Sequence, residues 1–257
     1  MSRLHLHAWG PEDGPPVLVV HGVTNTGARY RRLAEEQLAG HRVVAPDLRG
    51  HGRSTWDPPW SLDRHVEDLA ETVAAAGLGP VAVVGHSFGG LLGMALAAAR
   101  PGLVGRLALV DPAVALAPGR AAEQAEAVRR DDGWASRAEA REARRAMRPE
   151  RARDTVDEDL ETFLEEGADG RWRFRFSRPA AVTAWSEMAG PAPSLARYSG
   201  QVLLIPALRA DYVGDRLRAR LREDLGDRLR EQPIDAGHML FWDAPDELGR
   251  ALRGFVA

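Results

Sequence analysis

The sequence predicts an α/β protein built on a mostly parallel sheet, and three observations carry that expectation. Residues 17–21, 43–47, 81–85, 107–111 and 202–207 are short, almost wholly apolar runs. Continuous apolar runs of this length suit strands covered on both faces, as in a parallel sheet with helices on either side. Between them, residues 62–76 and 91–99 have helical period and an Ala- and Leu-rich content. Finally, 257 residues with 44% hydrophobic and 28% charged side chains suit one large domain, or one domain with a substantial insertion.

Taken in order, residues 3–9 alternate Leu4 and Leu6 with polar neighbours, which predicts an edge strand folded back on residues 17–21 through the turn at 10–16. The strand and helix alternation stops between Pro112 and Leu195. Residues 1–111 and 196–257 are therefore expected to form the core and residues 112–195 a mainly helical cap. Within the cap, residues 137–153 hold seven Arg against three acids, whereas residues 154–169 hold eight acids and no base. Two solvated helices of opposite charge, packed side by side, are the simplest expectation. Trp172, Phe174 and Phe176 recur with period two and should face one way on an extended segment. A helix over 215–225, a strand over 228–234 and a helix from residue 246 complete the chain.

Composition excludes several chemistries. The 34 basic residues are all Arg and are outnumbered by 37 acids, for a net charge of −3, which argues against a general nucleic-acid surface. Without Lys there is no Walker-type phosphate loop and no lysine Schiff base. Without Cys there is no disulfide, thiolate zinc site, iron–sulfur cluster or cysteine nucleophile. The uncharged stretch 81–99 reads as strand, turn and helix rather than a membrane span. No apolar segment of signal-peptide type follows Met1, so a cytoplasmic location is expected.

The strand at residues 81–85 runs into Gly85-His86-Ser87-Phe88-Gly89-Gly90 and then an Ala/Leu helix. A strand that turns abruptly into a helix strains the apex residue, and only small neighbours allow the two elements to approach. Gly85 and Gly89 meet that need, and Ser87 would present its hydroxyl at the helix N-terminus, where unpaired amides favour negative charge. A serine hydroxyl needs a base that titrates near neutrality. Of eight histidines, only His238 follows the serine, on the loop leaving the strand at 228–234. The Phe88 amide and that of Val23, after His21-Gly22, are the expected oxyanion donors. His21 reads as a loop brace, as do the charges of Asp47 to Ser54.

His21-Gly22, the Asp47 to Ser54 segment, Gly-His-Ser-Phe-Gly-Gly and Gly237-His238 together resemble the α/β-hydrolase superfamily in order and approximate spacing, over essentially the whole chain. The resemblance implies a sheet of about seven strands, a helical lid, and a Ser-acid-His triad without metal or organic cofactor. The commonest position for the acid in that superfamily points to Asp211, although Leu208 stands three residues before it where a Gly is usual. Asp111, used by some members, and Asp215 are the alternatives.

A serine at the apex disfavours the branches of the superfamily that attack with Asp, the dehalogenases and epoxide hydrolases. The expected reaction is two-step acyl transfer on a carboxylic ester, lactone or thioester through an acyl-enzyme. A carbon–carbon bond hydrolase, a cofactor-free perhydrolase and a non-catalytic ligand-binding module are the alternatives. Trp134, Trp185, Met188 and Met239 are the candidate pocket residues, with Phe241 and Trp242 following the base, and backbone adjacency favours Met239 and Phe88 among the lining.

Overall fold

The computed structural model describes residues 4–147 and 153–256, with backbone alone for 153–155. Met1 to Arg3, including the start of the expected edge strand and the expected leaderless N-terminus, lie outside the described residues, as do 148–152 of the Arg-rich stretch. In chain order the strands are β1 (Leu6–Trp9), β2 (Pro16–Val20), β3 (Arg42–Pro46), β4 (Val81–His86), β5 (Val104–Val110), β6 (Leu164–Glu166), β7 (Trp172–Phe174), β8 (Gln201–Ile205) and β9 (Leu229–Glu231). Among the described residues, seven of them form one sheet in the order β1-β3-β2-β4-β5-β8-β9, with β6 and β7 a separate hairpin. Every pairing in the large sheet is parallel except β1 with β3.

Both faces of the sheet are covered, and the strands show it residue by residue. Leu18, Val20, Val44, Val83, Leu107, Leu109, Val202 and Leu204 point into one apolar cluster, shared with helices α1 (Leu62–Ala75) and α2 (Phe88–Ala99). Their neighbours Val17, Val19, Val43, Val84, Val110, Leu203 and Ile205 point into a second cluster on the other face. Two buried faces need an apolar residue at every position, which is why these strands lack polar alternation. α1 starts where Ser61 Oγ accepts from Arg64 N and Asp63 sits in the first turn, complementing the helix dipole.

The N-terminal strand departs from the expected hairpin. β2 has both edges taken, with Val17 opposite Val43 on one side and Ala82 on the other, so β1 pairs antiparallel with the free edge of β3, Leu6 opposite Pro46 and Trp9 opposite Val43. Leu6 is turned outward.

Between β5 and β8 the chain forms α3 (Pro118–Arg130), α4 (Arg137–Ala146), α5 (Arg153–Phe163), the β6–β7 hairpin and α6 (Arg178–Met188). α3 packs on α6. α4 and α5 attract as their charges predict: Arg141 Nε lies 3.0 Å from Asp157 Oδ1, and Arg145 pairs with the same carboxylate. Exposed pairs of this kind contribute at most about 1 kcal/mol. The seam is therefore held mainly by Ala140, Val156, Leu160 and Leu164, against which Trp134, Trp172 and Phe174 pack. α7 (Asp215–Leu225), the short α8 (Leu240–Asp243) and α9 (Pro245–Val256) follow β8 and β9. No described helix is long and apolar enough to cross a membrane.

Candidate active site

The turn from β4 into α2 is as tight as its glycines require. Ser87 has φ 55° and ψ −119°, a conformation that L-residues rarely adopt. A Cβ on Gly85 would stand 2.3 Å from the Gly89 carbonyl oxygen, and one on Gly89 only 2.0 Å from that of Val20. Neither contact can be relieved by a side chain, because both partners are backbone. The Ser87 carbonyl accepts from Gly90 N at 2.9 Å and Ala113 N at 3.2 Å, which fixes the apex to the loop after β5.

The 22–25 loop beside Ser87 is held by two imidazoles. His21 Nε2 accepts from Leu48 N at 2.8 Å while its Nδ1–H donates to Gly22 O at 2.7 Å. His51 Nε2 accepts from Thr24 N at 3.3 Å while its Nδ1–H donates to Arg49 O at 3.1 Å. Both must be neutral to accept, and burial does this: the pKa of His21 falls to about 3, with the neighbouring His51 adding to the effect, and that of His51 to about 4. Behind them Arg49 grips Asp68 through Nε and Nη2 at 2.7 and 2.9 Å, and Asp47 accepts from Gly27 N and Arg53 N, each at 2.9 Å. The charged segment thus braces the loop. Gly22 lies so near the serine that a Cβ there would be 3.0 Å from Ser87 Cβ, and Val23 follows it along the same cavity. Phe88 N opens α2, where first-turn amides have no intrahelical acceptor.

His238 leaves the β9 side and reaches the same sheet edge. Its Nδ1–H donates to Asp111 Oδ2 at 2.6 Å, and Asp111 Oδ1 accepts from Ala207 N at 3.1 Å. Asp111 is fully buried directly after β5, with φ 40°. The carboxylate that meets His238 is thus Asp111 and not the expected Asp211. Asp211 has a side chain 85% exposed, with Oδ1 bound to Arg120 at 2.7 Å, and Asp215 is exposed at the start of α7. Arg120, from α3, draws the Asp211 carboxylate outward.

A cavity of about 690 Å³ opens over Ser87 and His238, lined also by Val23, Trp134, Trp185 and Met239. Among the described residues no hydrogen bond joins Ser87 to His238. The cavity walls come from both parts of the chain, with α3, α4, β7 and α6 contributing Val128, Arg144, Phe174 and Trp185. Three expected lining side chains are elsewhere. Met188 is fully buried on the core-facing side of α6, and Phe241 and Trp242 pack in the second core cluster. The Phe88 ring does not line the cavity either, because it is buried edge-on to His65 at 5.5 Å.

Two neighbours of His238 were not foreseen. Tyr212 stacks on its ring at 4.0 Å and 27°, and the Arg120 guanidinium lies 4.1 Å from the Tyr212 ring centre. His86 donates Nε2–H to the His238 carbonyl at 2.8 Å, and burial holds its own pKa well below the usual histidine value. The position of His86 inside the Gly-x-Ser-x-Gly turn was the one available signal; nothing local marks Tyr212. His5, His7 and Asp47, a group able to hold a metal, are not part of this cavity lining.

Comparison with known proteins agrees with this fold. A model of the alpha/beta hydrolase family matches residues 17–251. The chain is 41% identical over 254 residues to Lipase LipV of Mycobacterium tuberculosis, covering 97% of this chain and 96% of that protein. It is 25% identical to Esterase YbfF of Escherichia coli, covering 97% and 96%. The solved structure of E-2-(acetamidomethylene)succinate hydrolase matches with a TM-score of 0.81 at 22% identity over 98% of this chain and 94% of that one. A marine microorganism esterase matches with a TM-score of 0.78 at 21% identity over 99% and 100%. The chain belongs to the alpha/beta hydrolase family and is a hydrolase.

Proposed function

We propose that this hydrolase cleaves carboxylic esters through an acyl-enzyme on Ser87, with His238 as base and Asp111 as the acid that orients it. The observation that carries the reading is the buried Asp111 carboxylate on His238 Nδ1, with that imidazole and the strained Ser87 opening on one cavity. With Nδ1 protonated, Nε2 is left as the proton acceptor. Ser87 Oγ attacks the ester carbonyl carbon as Nε2 takes its proton. The resulting oxyanion is received by the amides of Val23 and Phe88, each such donor worth roughly 3–4 kcal/mol in the transition state. His238 then gives the proton to the departing alkoxide, and a water deprotonated by the same nitrogen releases the acid.

Residues 112–195 act as the cap in this reading, because they supply the aromatic wall of the cavity. Trp134, Phe174, Phe176 and Trp185 suit an apolar acyl or alcohol group of small to medium size. The relatives named lipase and esterase support the same substrate class. Tyr212 is a positioning residue: its ring face lies against the imidazole, favouring the imidazolium as it forms. A fluorophosphonate should add mass at Ser87 in the native protein and not in Ser87→Ala, and p-nitrophenyl esters from acetate to laurate should report the chain length the cavity accepts. No labelling at pH 8, with the protein folded, would overturn the proposal.

A further inference from the structure

The edge strand β1 is turned the wrong way round for apolar burial. Leu6 is 39% exposed and Ala8 is exposed, whereas His5, His7 and Trp9 occupy the half-buried side. Burying Leu6 would be worth roughly 1.5–3 kcal/mol. The strand instead directs two imidazoles, two residues apart on one face, toward the buried carboxylate of Asp47 at the end of β3.

The three side chains converge as ligands do. One donor atom from each lies within 4.8 Å of the others, His7 Nε2 stands 3.1 Å from Asp47 Oδ1, and the His5 and His7 rings are 4.7 Å apart, edge to face. Asp47 is fixed by the Gly27 and Arg53 amides, which occupy one lone pair on each oxygen and leave others available. Among the described residues the ring nitrogens of His5 make no hydrogen bond. A tetrahedrally bound cation with bonds of about 2.0–2.2 Å needs donors roughly 3.3–3.6 Å apart, so a swing of the half-exposed His5 ring by about 1–1.5 Å completes the set.

We infer that His5, His7 and Asp47 form a binding site for a divalent transition cation of the zinc, nickel or cobalt class, separate from the reaction at Ser87. Two imidazoles and a carboxylate select these metals over magnesium and calcium, which favour oxygen. On binding, the His7 proton moves from Nε2 to Nδ1 through solvent, so neutral imidazole ligates and its hydrogen bond to Asp47 is replaced by two bonds to the metal. The cation ties the first strand to the end of β3 and stabilises the folded chain by mass action.

Titration calorimetry with zinc and with nickel at pH 7.5, in a non-coordinating buffer, tests this on the full chain, with His5→Gln, His7→Gln and His238→Ala alongside. The expected result is one saturable cation per chain, accompanied by a rise in Tm. Affinity should fall in both His5→Gln and His7→Gln by at least the roughly tenfold that loss of an outer partner costs, and be unchanged in His238→Ala. Should His7→Gln misfold through loss of its Asp47 bond, His5→Gln alone decides. No binding above that of magnesium, binding retained in His5→Gln, or binding lost in His238→Ala each overturns the inference, the last by placing the cation at the Ser87 cavity.

Discussion

The ends of β5 and β8 lie side by side on one edge of the sheet, each followed by an aspartate, and the two carboxylates have opposite surroundings. Asp111 comes directly after its strand, is fully buried, and divides its oxygens between the Ala207 amide and His238. Asp211 lies six residues beyond its strand, is 85% exposed and pairs with Arg120. A carboxylate in water is screened and free to swing, whereas one held by an amide in a dry niche keeps a fixed direction. What selects the partner of an imidazole is this confinement rather than proximity to one strand end or the other.

The sharpest way to break that contrast is to neutralise each acid. Asp111→Asn should lower kcat on a p-nitrophenyl ester by about 10⁴, since an amide can no longer hold the productive tautomer. Asp211→Asn should cost less than about threefold. A larger loss in the second variant would reverse the assignment.

The same contrast between confined and solvent-facing groups extends to the histidines. His21, His51 and His65 are buried with pKa values near 3, 4 and 3, and His86 is also depressed, burial being the first cause in each. In the unfolded chain each protonates near pH 6.5. Unfolding therefore takes up protons between the two values, so their contribution is complete above pH 6.5 and is lost as pH falls. Urea denaturation at a series of pH values should show stability declining below 6.5, with each histidine adding up to about 1.4 kcal/mol per pH unit. A flat profile between pH 7 and 4.5 would refute it.

Smaller effects sharpen what the loop after β8 does instead. Tyr212→Ala should reduce kcat by about tenfold, within the range of a cation–π contact, while KM changes little and Tyr212→Phe restores the rate. Arg120→Gln, which removes a second cation from that ring, should change kcat by less than about threefold. Equal losses in the Phe and Ala variants would remove the stacking role from Tyr212.

How much of this was legible in the sequence depended on whether the deciding constraint was local. The turn at Ser87 is set by five consecutive residues, two of which must be glycine for backbone reasons, and so it could be read directly. His238 followed from its place after the last strand. That Asp111 rather than Asp211 meets His238 could not be read, because the niche of Asp111 is made by Ala207 and His238, far away in the chain, and because the partner of Asp211 is Arg120 of α3. The same applies to β1, whose partner was decided by which sheet edge remained free, and to Met188, whose side of α6 faces the core. Trp134, Trp185 and Met239 were foreseen as lining and do line the cavity.

Asp111 directly follows the strand adjacent to that of Ser87, and α2 joins the two, so a single strand–helix–strand unit carries both residues, while the loop from Pro206 to Gly214 adds the Ala207 amide that holds the Asp111 carboxylate. That loop still reaches the cavity mouth through Tyr212. Residues 208–211 are thus a natural place for a mutant library: side-chain polarity there can be varied to seek new selectivity while the backbone that positions Ala207 against Asp111 is kept.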